Sequence, residues 1–578
     1  MVAIKLNAFG GTIPAMDDRL LPDNMAATAS DAWLYSGVLE GFRSAKLVHT
    51  CVSASTKRVY RIPKDFVDQE HIIDSYWLEF PYKNVDVIHS PTANDSYERY
   101  YWAAGAGGTS YPPRYNTLAR IAAGSSSFLL GVPAPTVAPG VTHTGGSGSP
   151  VSRSYVYTWV TAYGEEGPPS PPTGYSANSS VTWDITLTAP TTADTTDRNL
   201  TKVRIYRTIT SSAGVATYFL VTEQDITDTT YADANADSAI SGNNQLQSTT
   251  WTAPPADLRG MVSMANGMVI GWRDNEIWYA EPYRPHAWPA LYTLSTDFEI
   301  VGIGVIGQTA IICTEAATYA ATGITPSNVT LSKISTRDAC LSRGSIVSTP
   351  DGVFYATSRG LALATAGQVI NATDKLFTKD NWLTLLSVPN LRSARLGSAY
   401  YTFGSVTEGV FQTDAFEPTA FQQTNLTGSY TGGMIDASDN RIGFMPLTSD
   451  DATMNLYNDP WTNEVLILRD GAVYWMDVAG TEPRQEYVWR SKRFQPTNKK
   501  NLEAMKVYFD NPEGLTSLGN IKIYADGRLA ATKTLLSSGQ LIRLPSGFKA
   551  DFWQIEITTR VTISSVQMAS SVKELASV

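Results

Sequence analysis

Along most of this chain a short run of β-branched and aromatic residues meets a tight polar turn, and a second such run follows at once. "MVIGWRDNEIWYAE" turns at Asp274-Asn275, "TAIICTEAATYAATG" at a Glu-Ala-Ala segment, "GVFYATSRGLALATAG" at Ser358-Arg359-Gly360, and "EVLILRDGAVYWMD" at Asp470-Gly471. Such runs suit a pleated, half-buried surface, and Asp-Gly supplies the positive φ that a two-residue hairpin turn needs. "SYERYYWAAGAG" and "RLGSAYYTFG" read as single strands of similar units. Hairpins that return at roughly 40-residue intervals are the pattern of propeller blades, each a small sheet packed on the next. No WD or kelch signature accompanies them, so a large sandwich, or several small sheets, is the competing architecture.

Two segments depart from this pattern. "GVPAPTVAPGVTHTGGSGSP" is a Pro/Gly/Ser-rich linker by composition. Behind it lie "SYVYTWVTAYGEEGPPSPPT", "VTWDITLTAP", "KVRIYRT", "TYFLVTEQD" and "TYADANAD". Tyr155, Tyr157 and Trp159 fall on one face of a strand at period two, Gly164 and Gly167 bracket a turn, and the prolines cannot extend a central strand. Short strands at about ten-residue spacing with turns between them predict an inserted β-sandwich. At the other end, "EYVWRSKRFQ", "AMKVYFDN", "NIKIYADGRLAATKTL", "LIRLPSG" and "DFWQIEITTRVTISSVQMA" predict a second all-β module. The expected organisation is an N-terminal arm (1–30), a propeller-like core (31–135 and 248–482) interrupted by an immunoglobulin- or fibronectin-like sandwich (136–247), and a C-terminal β module (483–578). Within the first part, "FGGTIPAMDDRLLP" reads as an extended arm and "NMAATASDAWLYSG" as a short helix, since Ala, Met and Leu favour one.

Composition narrows the function classes. The 578 residues carry a net charge of −10, and the densest basic run, "WRSKRF" followed by Lys499 and Lys500, is short. A protein that grips nucleic acid through phosphates needs a basic stripe. Cys51, Cys313 and Cys340 are odd in number and far apart, which argues against a disulfide framework. The N-terminus lacks a signal-peptide apolar core, and no apolar run approaches the ~20 residues that span a bilayer. The expectation is a soluble protein made in the cytoplasm.

No motif carries catalysis through its context. Gly302-x-Gly304-x-x-Gly307 has dinucleotide-fingerprint spacing, but β-rich "QTAIICTE" follows where a helix is required. The "GAGG" at Gly105 lacks the Gly-Lys-Ser/Thr of a phosphate loop. His49, His71, His89, His143 and His286 show neither HExxH nor HxH spacing, so zinc has no sequence support. No G-x-S-x-G elbow occurs. Asp17 with Asp18, Glu165 with Glu166, and Asp297 with Glu299 are paired carboxylates of the kind a glycosidase uses. The first two pairs read as solvated turn residues, and the third as acids on one face of a strand. The expectation is no enzyme, no cofactor and no metal. "EPYRPHAWPALY" sets Tyr283, Arg284, His286, Trp288 and Tyr292 among prolines, a rigid, partly exposed loop whose aromatics and arginine suit a protein interface. Arg490 and Arg493, on an aromatic-flanked strand, are placed at an interface on the same ground.

Several strings together resemble one family. "FGGTIPAMDDRLLPDNMAATASDAWLYSGVLEGFR" resembles the start of tail tube and nozzle proteins of short-tailed bacteriophages. "YVYTWVTAYGEEGPPSPPT", with "KVRIYRT" and "TYADANAD", resembles the immunoglobulin-like insertion of phage structural proteins. "SIVSTPDGVFYATSRGLALA" resembles their blades, and "YVWRSKRFQ", "IYADGRLA", "LIRLPSGFKADFWQIEI" and "SSVKEL" their C-terminal module. The resemblance implies a virion structural protein of the tail nozzle (tail tubular protein B-like). Such a protein forms a homo-oligomeric, six-fold ring that contacts adaptor, tube and fibre proteins. It conducts and gates DNA without binding it tightly. The alternatives are a receptor-binding adhesin built from the same modules or a glycan depolymerase.

Overall fold

The computed structural model describes residues 3–576 apart from 35–36, 65, 69–70, 73, 106–110, 211–215, 387, 398, 405–431, 436–442, 448–454 and 477–481. The chain is all-β: among the described residues no helix exceeds seven residues. Six of its sheets are four-stranded antiparallel arrangements built from hairpins in the order expected for propeller blades. Residues group into two compact units, one of 1–83, 316–318 and 334–578, the other of 84–315 and 319–333.

The second unit holds three of these sheets. The first runs Val85–His89, Arg99–Ala104, Arg114–Thr117 and Phe128–Leu129. The next runs Gly260–Ser263, Val269–Arg273, Glu276–Tyr279 and Thr293–Ser295. The third begins with Ile300–Ile306 and Thr309–Thr314. The Asp274 turn sits at φ 45°, the left-handed conformation that Asp tolerates at a tight turn. The would-be dinucleotide fingerprint is the strand Ile300–Ile306 ending in the turn at Gly307, with a strand behind it instead of a helix. The Gly105–Gly108 run lies mostly outside the described residues.

Between the first two sheets stands the inserted module, a sandwich of four strands on three. Pro150–Thr161 lies at the centre of the larger sheet between Thr173–Asn178 and Leu200–Thr210, with Ala216–Asp225 beyond. Gly140–Thr144, Thr182–Thr186 and Thr230–Asp233 form the smaller one. Tyr155, Tyr157 and Trp159 do share the core face, packed with Trp183, Val203 and Ile205. The module's interior also encloses an ion pair: Arg207 and Asp233 are both fully buried, with Nε and Oδ2 3.4 Å apart. Asp233 accepts from the Tyr155 hydroxyl at 2.8 Å, and Arg207 Nη2 donates to the Asn235 carbonyl at 2.9 Å.

In the first unit, Val347–Thr349 to Val369–Asn371 and Leu391–Leu396 to Phe444–Leu447 make two more such sheets. The last, Asn455–Asn458, Val465–Arg469 and Ala472–Trp475, takes its fourth strand from Lys46–Thr50. The C-terminal module is a sandwich, but it is not built from the C-terminus alone. Ala3–Leu6 pairs with Thr562–Ala569 in one sheet, and Ala26–Ser30 pairs with Tyr487–Ser491 in the other. Leu39 and Arg43 add bridges to Ile563 and Arg484. Residues 1–30 are therefore not an extended arm, and "NMAATASDAWLYSG" carries a strand where a helix was expected. Helix propensity differs by only tenths of a kcal/mol between ordinary residues. Burial of Ala26 and Ala29 against Trp489 and Ile557 in one core outweighs it. The Trp489 indole N–H donates to the Gly10 carbonyl at 2.9 Å, which fastens the loop between the two N-terminal strands.

Candidate functional site

A buried polar cluster in the second unit forms where the inserted module meets its host sheet. The strand Pro150–Thr161 ends at Thr161, whose hydroxyl accepts the Glu165 amide at 3.2 Å, and Gly164 turns the chain at φ 79°. The proline run then lies back along the strand, with the Ser170 amide bonded to the Tyr157 carbonyl at 2.9 Å. Gly167 touches Val132: a Cβ there would fall 2.6 Å from the Val132 side chain, so only glycine fits without displacement. Glu165 and Glu166, expected on a solvated turn, are both buried. The reason is distant in sequence. Arg99, on the first host sheet, donates through Nη1 to Glu165 Oε1 at 2.7 Å and through Nε to Asp95 at 2.7 Å. Glu166 accepts from Thr158 at 2.7 Å, Tyr206 at 2.8 Å and Arg204 at 2.7 Å.

Burial pushes the Glu165 carboxyl up to about 7, with the Arg99 charge pulling the other way. His286 Nδ1 lies 3.9 Å from the same Glu165 oxygen. Burial, with the charges of Arg99 and Arg284, holds its imidazole down to about 3. The pair is thus a near-neutral acid beside a neutral imidazole. The Tyr115 hydroxyl faces Glu165 and the Tyr101 hydroxyl faces Ser90 across this cluster, while His286 Nε2 has no hydrogen-bond partner among the described residues. Alongside opens a cleft of about 610 Å³ lined by Glu166, Arg204, Gln247, Trp251, Arg284 and His286.

The sequence-predicted loop residues separate here. Arg284 stacks over Trp251 at 4.4 Å and lines the cleft. Tyr283 is half exposed, at φ 60°. Trp288 is wholly buried and its indole N–H donates to the Pro285 carbonyl at 2.7 Å, so it is a core residue of the loop and presents no surface. In the first unit, Arg490 stacks on Tyr524 at 4.2 Å and donates to Gln554 at 3.0 Å. Arg493 lies over Phe552 and pairs with Asp18 at 3.3 Å. Lys492 and Lys499 pair with Asp23 and Asp551. Three of the five cations of the basic run are thus matched by carboxylates.

The carboxylates Asp297 and Glu299 do not share a strand face. They sit on the connection before Ile300 and bond different partners, Asp297 with Lys333 and Tyr319, and Glu299 with Arg259. Each is held in an exposed ion pair. Glu165 is engaged as a fastener between the module and its host, and Glu166 ties strands within the module. The signal that would have revealed them is the Arg99 and Arg204 partnership, which no local pattern records.

No family model and no curated protein matches the chain. Among solved structures it is similar to the WD40 domain of Neurospora crassa Pan2, with a TM-score of 0.25 and 10% identity over 48% of this chain and 87% of that one. It is also similar to BBS1N in complex with ARL6DN, with a TM-score of 0.24 and 8% identity over 51% and 86%. A third is the N-terminal domain of Nup159, with a TM-score of 0.21 and 10% identity over 47% and 86%. Likenesses of this size carry no argument, and the fold assignment rests on the strand pairing above.

Proposed function

We propose that the chain is a structural protein of a short-tailed phage virion, a nozzle-type component that assembles with copies of itself and lets DNA pass without holding it. The sequence resemblance motivates this reading. The observation that carries it furthest is the joint of Arg99 with Glu165, which fastens the inserted sandwich to its host sheet by a buried, charge-assisted hydrogen bond. A module tied this way is a rigid bracket, suited to a building block that must keep its shape within an assembly. The pairing of Lys492, Arg493 and Lys499 with carboxylates supports a surface that does not trap phosphates. Native mass spectrometry of the purified protein, with antibody labelling of intact particles, tests the proposal. Rings of defined stoichiometry and label at the tail tip are expected. A monomer absent from particles overturns it.

One observation favours a second reading, a glycan-binding adhesin. The cleft beside the joint combines an aromatic platform, Trp251, with amides and charged groups, the mixture that holds a sugar ring. Saturable binding of host polysaccharide, lost in Trp251→Ala, distinguishes it from the first.

A further inference from the structure

In the first unit the strand Lys46–Thr50 places His49 and, just beyond its end, Cys51, two residues apart. The neighbouring strand Ser75–Phe80 brings up Glu79. His49 Nε2 lies 2.9 Å from Glu79 Oε1, and the ligand atoms of all three residues fall within 4.8 Å of one another. We propose that His49, Cys51 and Glu79 form a binding site for a divalent cation of the zinc class.

The donor set is one imidazole nitrogen, one thiolate sulfur and one carboxylate oxygen. Such a mixed set selects a borderline cation over calcium or magnesium, which prefer oxygen alone. Bonds of about 2.0–2.3 Å in a tetrahedron put ligand atoms roughly 3.3–3.6 Å apart. The cluster reaches that spacing by opening the His49–Glu79 contact slightly and closing separations that are nowhere above 4.8 Å. Three protein ligands leave a fourth position for water.

The surroundings already orient the ligands. The His49 ring stacks on Trp77 at 4.7 Å and 11° between planes, which fixes its rotation. Glu79 also accepts the Val52 amide at 3.0 Å and the Thr56 hydroxyl at 2.8 Å, so its carboxylate is aimed by bonds that a metal need not disturb. The Cys51 amide is tied to the Gly471 carbonyl at 2.8 Å. A cation bound between the thiolate and the carboxylate offsets their mutual repulsion, and the thiol proton leaves to solvent on binding. The bound cation would cross-link Lys46–Thr50, the strand that completes the last sheet, to the hairpin beside it. The site is independent of any role in a virion.

The test is titration of the full chain with Co²⁺, then Zn²⁺. One equivalent of cobalt should bind, giving intense four-coordinate visible bands and a sulfur-to-cobalt charge-transfer band, both erased by zinc. Cys51→Ala should abolish the charge-transfer band and weaken zinc by more than the roughly 10–100-fold that loss of a supporting partner costs, with Thr56→Ala falling within that range. Should Cys51→Ala fail to fold, the wild-type spectrum alone decides, together with protection of Cys51 from alkylation by zinc. Absence of the charge-transfer band, a weak six-coordinate spectrum, or zinc affinity unchanged in a folded Cys51→Ala variant overturns the site.

Discussion

Gly131 and Ala253, on either side of the inserted module in sequence, touch in space: a Cβ on Gly131 would lie 2.6 Å from the Ala253 Cβ. The module therefore leaves and re-enters its host through one point. A connection of that kind can be cut and rejoined with little change in the host backbone.

Excision of residues 133–251, which contain the module, with Val132 joined to Thr252 through a short Gly-Ser bridge should leave the host folded. The loss of Glu165 strands Arg99 beside Asp95. The deletion should consequently be improved by Arg99→Leu made together with Asp95→Leu. Circular dichroism and gel filtration report the outcome, and aggregation of both forms would show that the module is integral to the host.

Within the module, Asp233→Leu should cost about 1–3 kcal/mol, because the fully buried Arg207 keeps only Asp237, at 3.1 Å, and the Tyr155 hydroxyl loses its acceptor. The double variant Arg207→Met with Asp233→Leu should recover most of it. Hydrogen exchange localises the effect: protection should fall in 140–233 and persist in 260–295. Equal loss in single and double variants would refute the charge argument.

The Glu165 carboxyl is raised in the folded state to about 7 and His286 is lowered to about 3. A raised acid favours folding while it holds its proton, so its contribution is full below the ordinary carboxylate range and is lost as pH climbs through about 7. The lowered imidazole acts oppositely, and its contribution disappears as pH falls from about 6.5 toward 3. From pH 5 to about 6.5 the two nearly cancel in the wild type, so Glu165→Gln, which copies the protonated form, should leave only the imidazole's gain, and its melting temperature should rise from pH 5 to about 7. The carboxyl alone spans on the order of 3 kcal/mol between its ordinary value and about 7, at 1.36 per pK unit. A wild-type melting temperature that rises across this range, or a variant with the same profile, would contradict the assignment.

Duplex DNA should bind the assembled protein weakly, with a shallow dependence on salt, because Lys492, Arg493 and Lys499 are matched by Asp23, Asp18 and Asp551. Arg490→Ala with Arg493→Ala should leave that binding unchanged. It should instead loosen the C-terminal module, since both guanidinium groups cover aromatic rings. Tight binding with a steep salt slope, lost in this variant, would place phosphates on these residues.

Deletion of residues 1–30 should unfold the C-terminal module rather than trim a loose end. It removes edge strands from both sheets and the Gly10 carbonyl that satisfies Trp489. Burial of a tryptophan N–H without a partner alone costs about 1–3 kcal/mol. A deletion protein with the wild-type Trp fluorescence and melting profile would show that the pairing is dispensable.

What the sequence made legible was local. Asp274, Asp470 and Asp526 all sit at positive φ, and a turn that demands such a conformation writes itself into neighbouring residues. The blade-like hairpins and the sandwich face of Tyr155, Tyr157 and Trp159 followed from periodicity for the same reason. The strand at Ala26–Ser30 was hidden because its partner lies at Tyr487–Ser491, and Ala-rich composition pointed to a helix. Glu165 and Glu166 looked like surface acids because turns usually are surface, and only Arg99 and Arg204 make their burial tolerable. His49, Cys51 and Glu79 escaped notice because the carboxylate comes from another strand.

The weaving of Ala3–Leu6 against Thr562–Ala569 fixes an order of events during synthesis. A ribosome adding about 5–20 residues per second needs on the order of a minute to reach the second strand after making the first. Through that interval the first strand has emerged without its partner, its backbone groups open to any passing edge. The hairpin sheets can close as they emerge, from contacts near in sequence. The sandwich that joins the two ends cannot. It forms only after Thr562–Ala569 has left the ribosome, so a nascent chain cannot present that sandwich's finished surface before then.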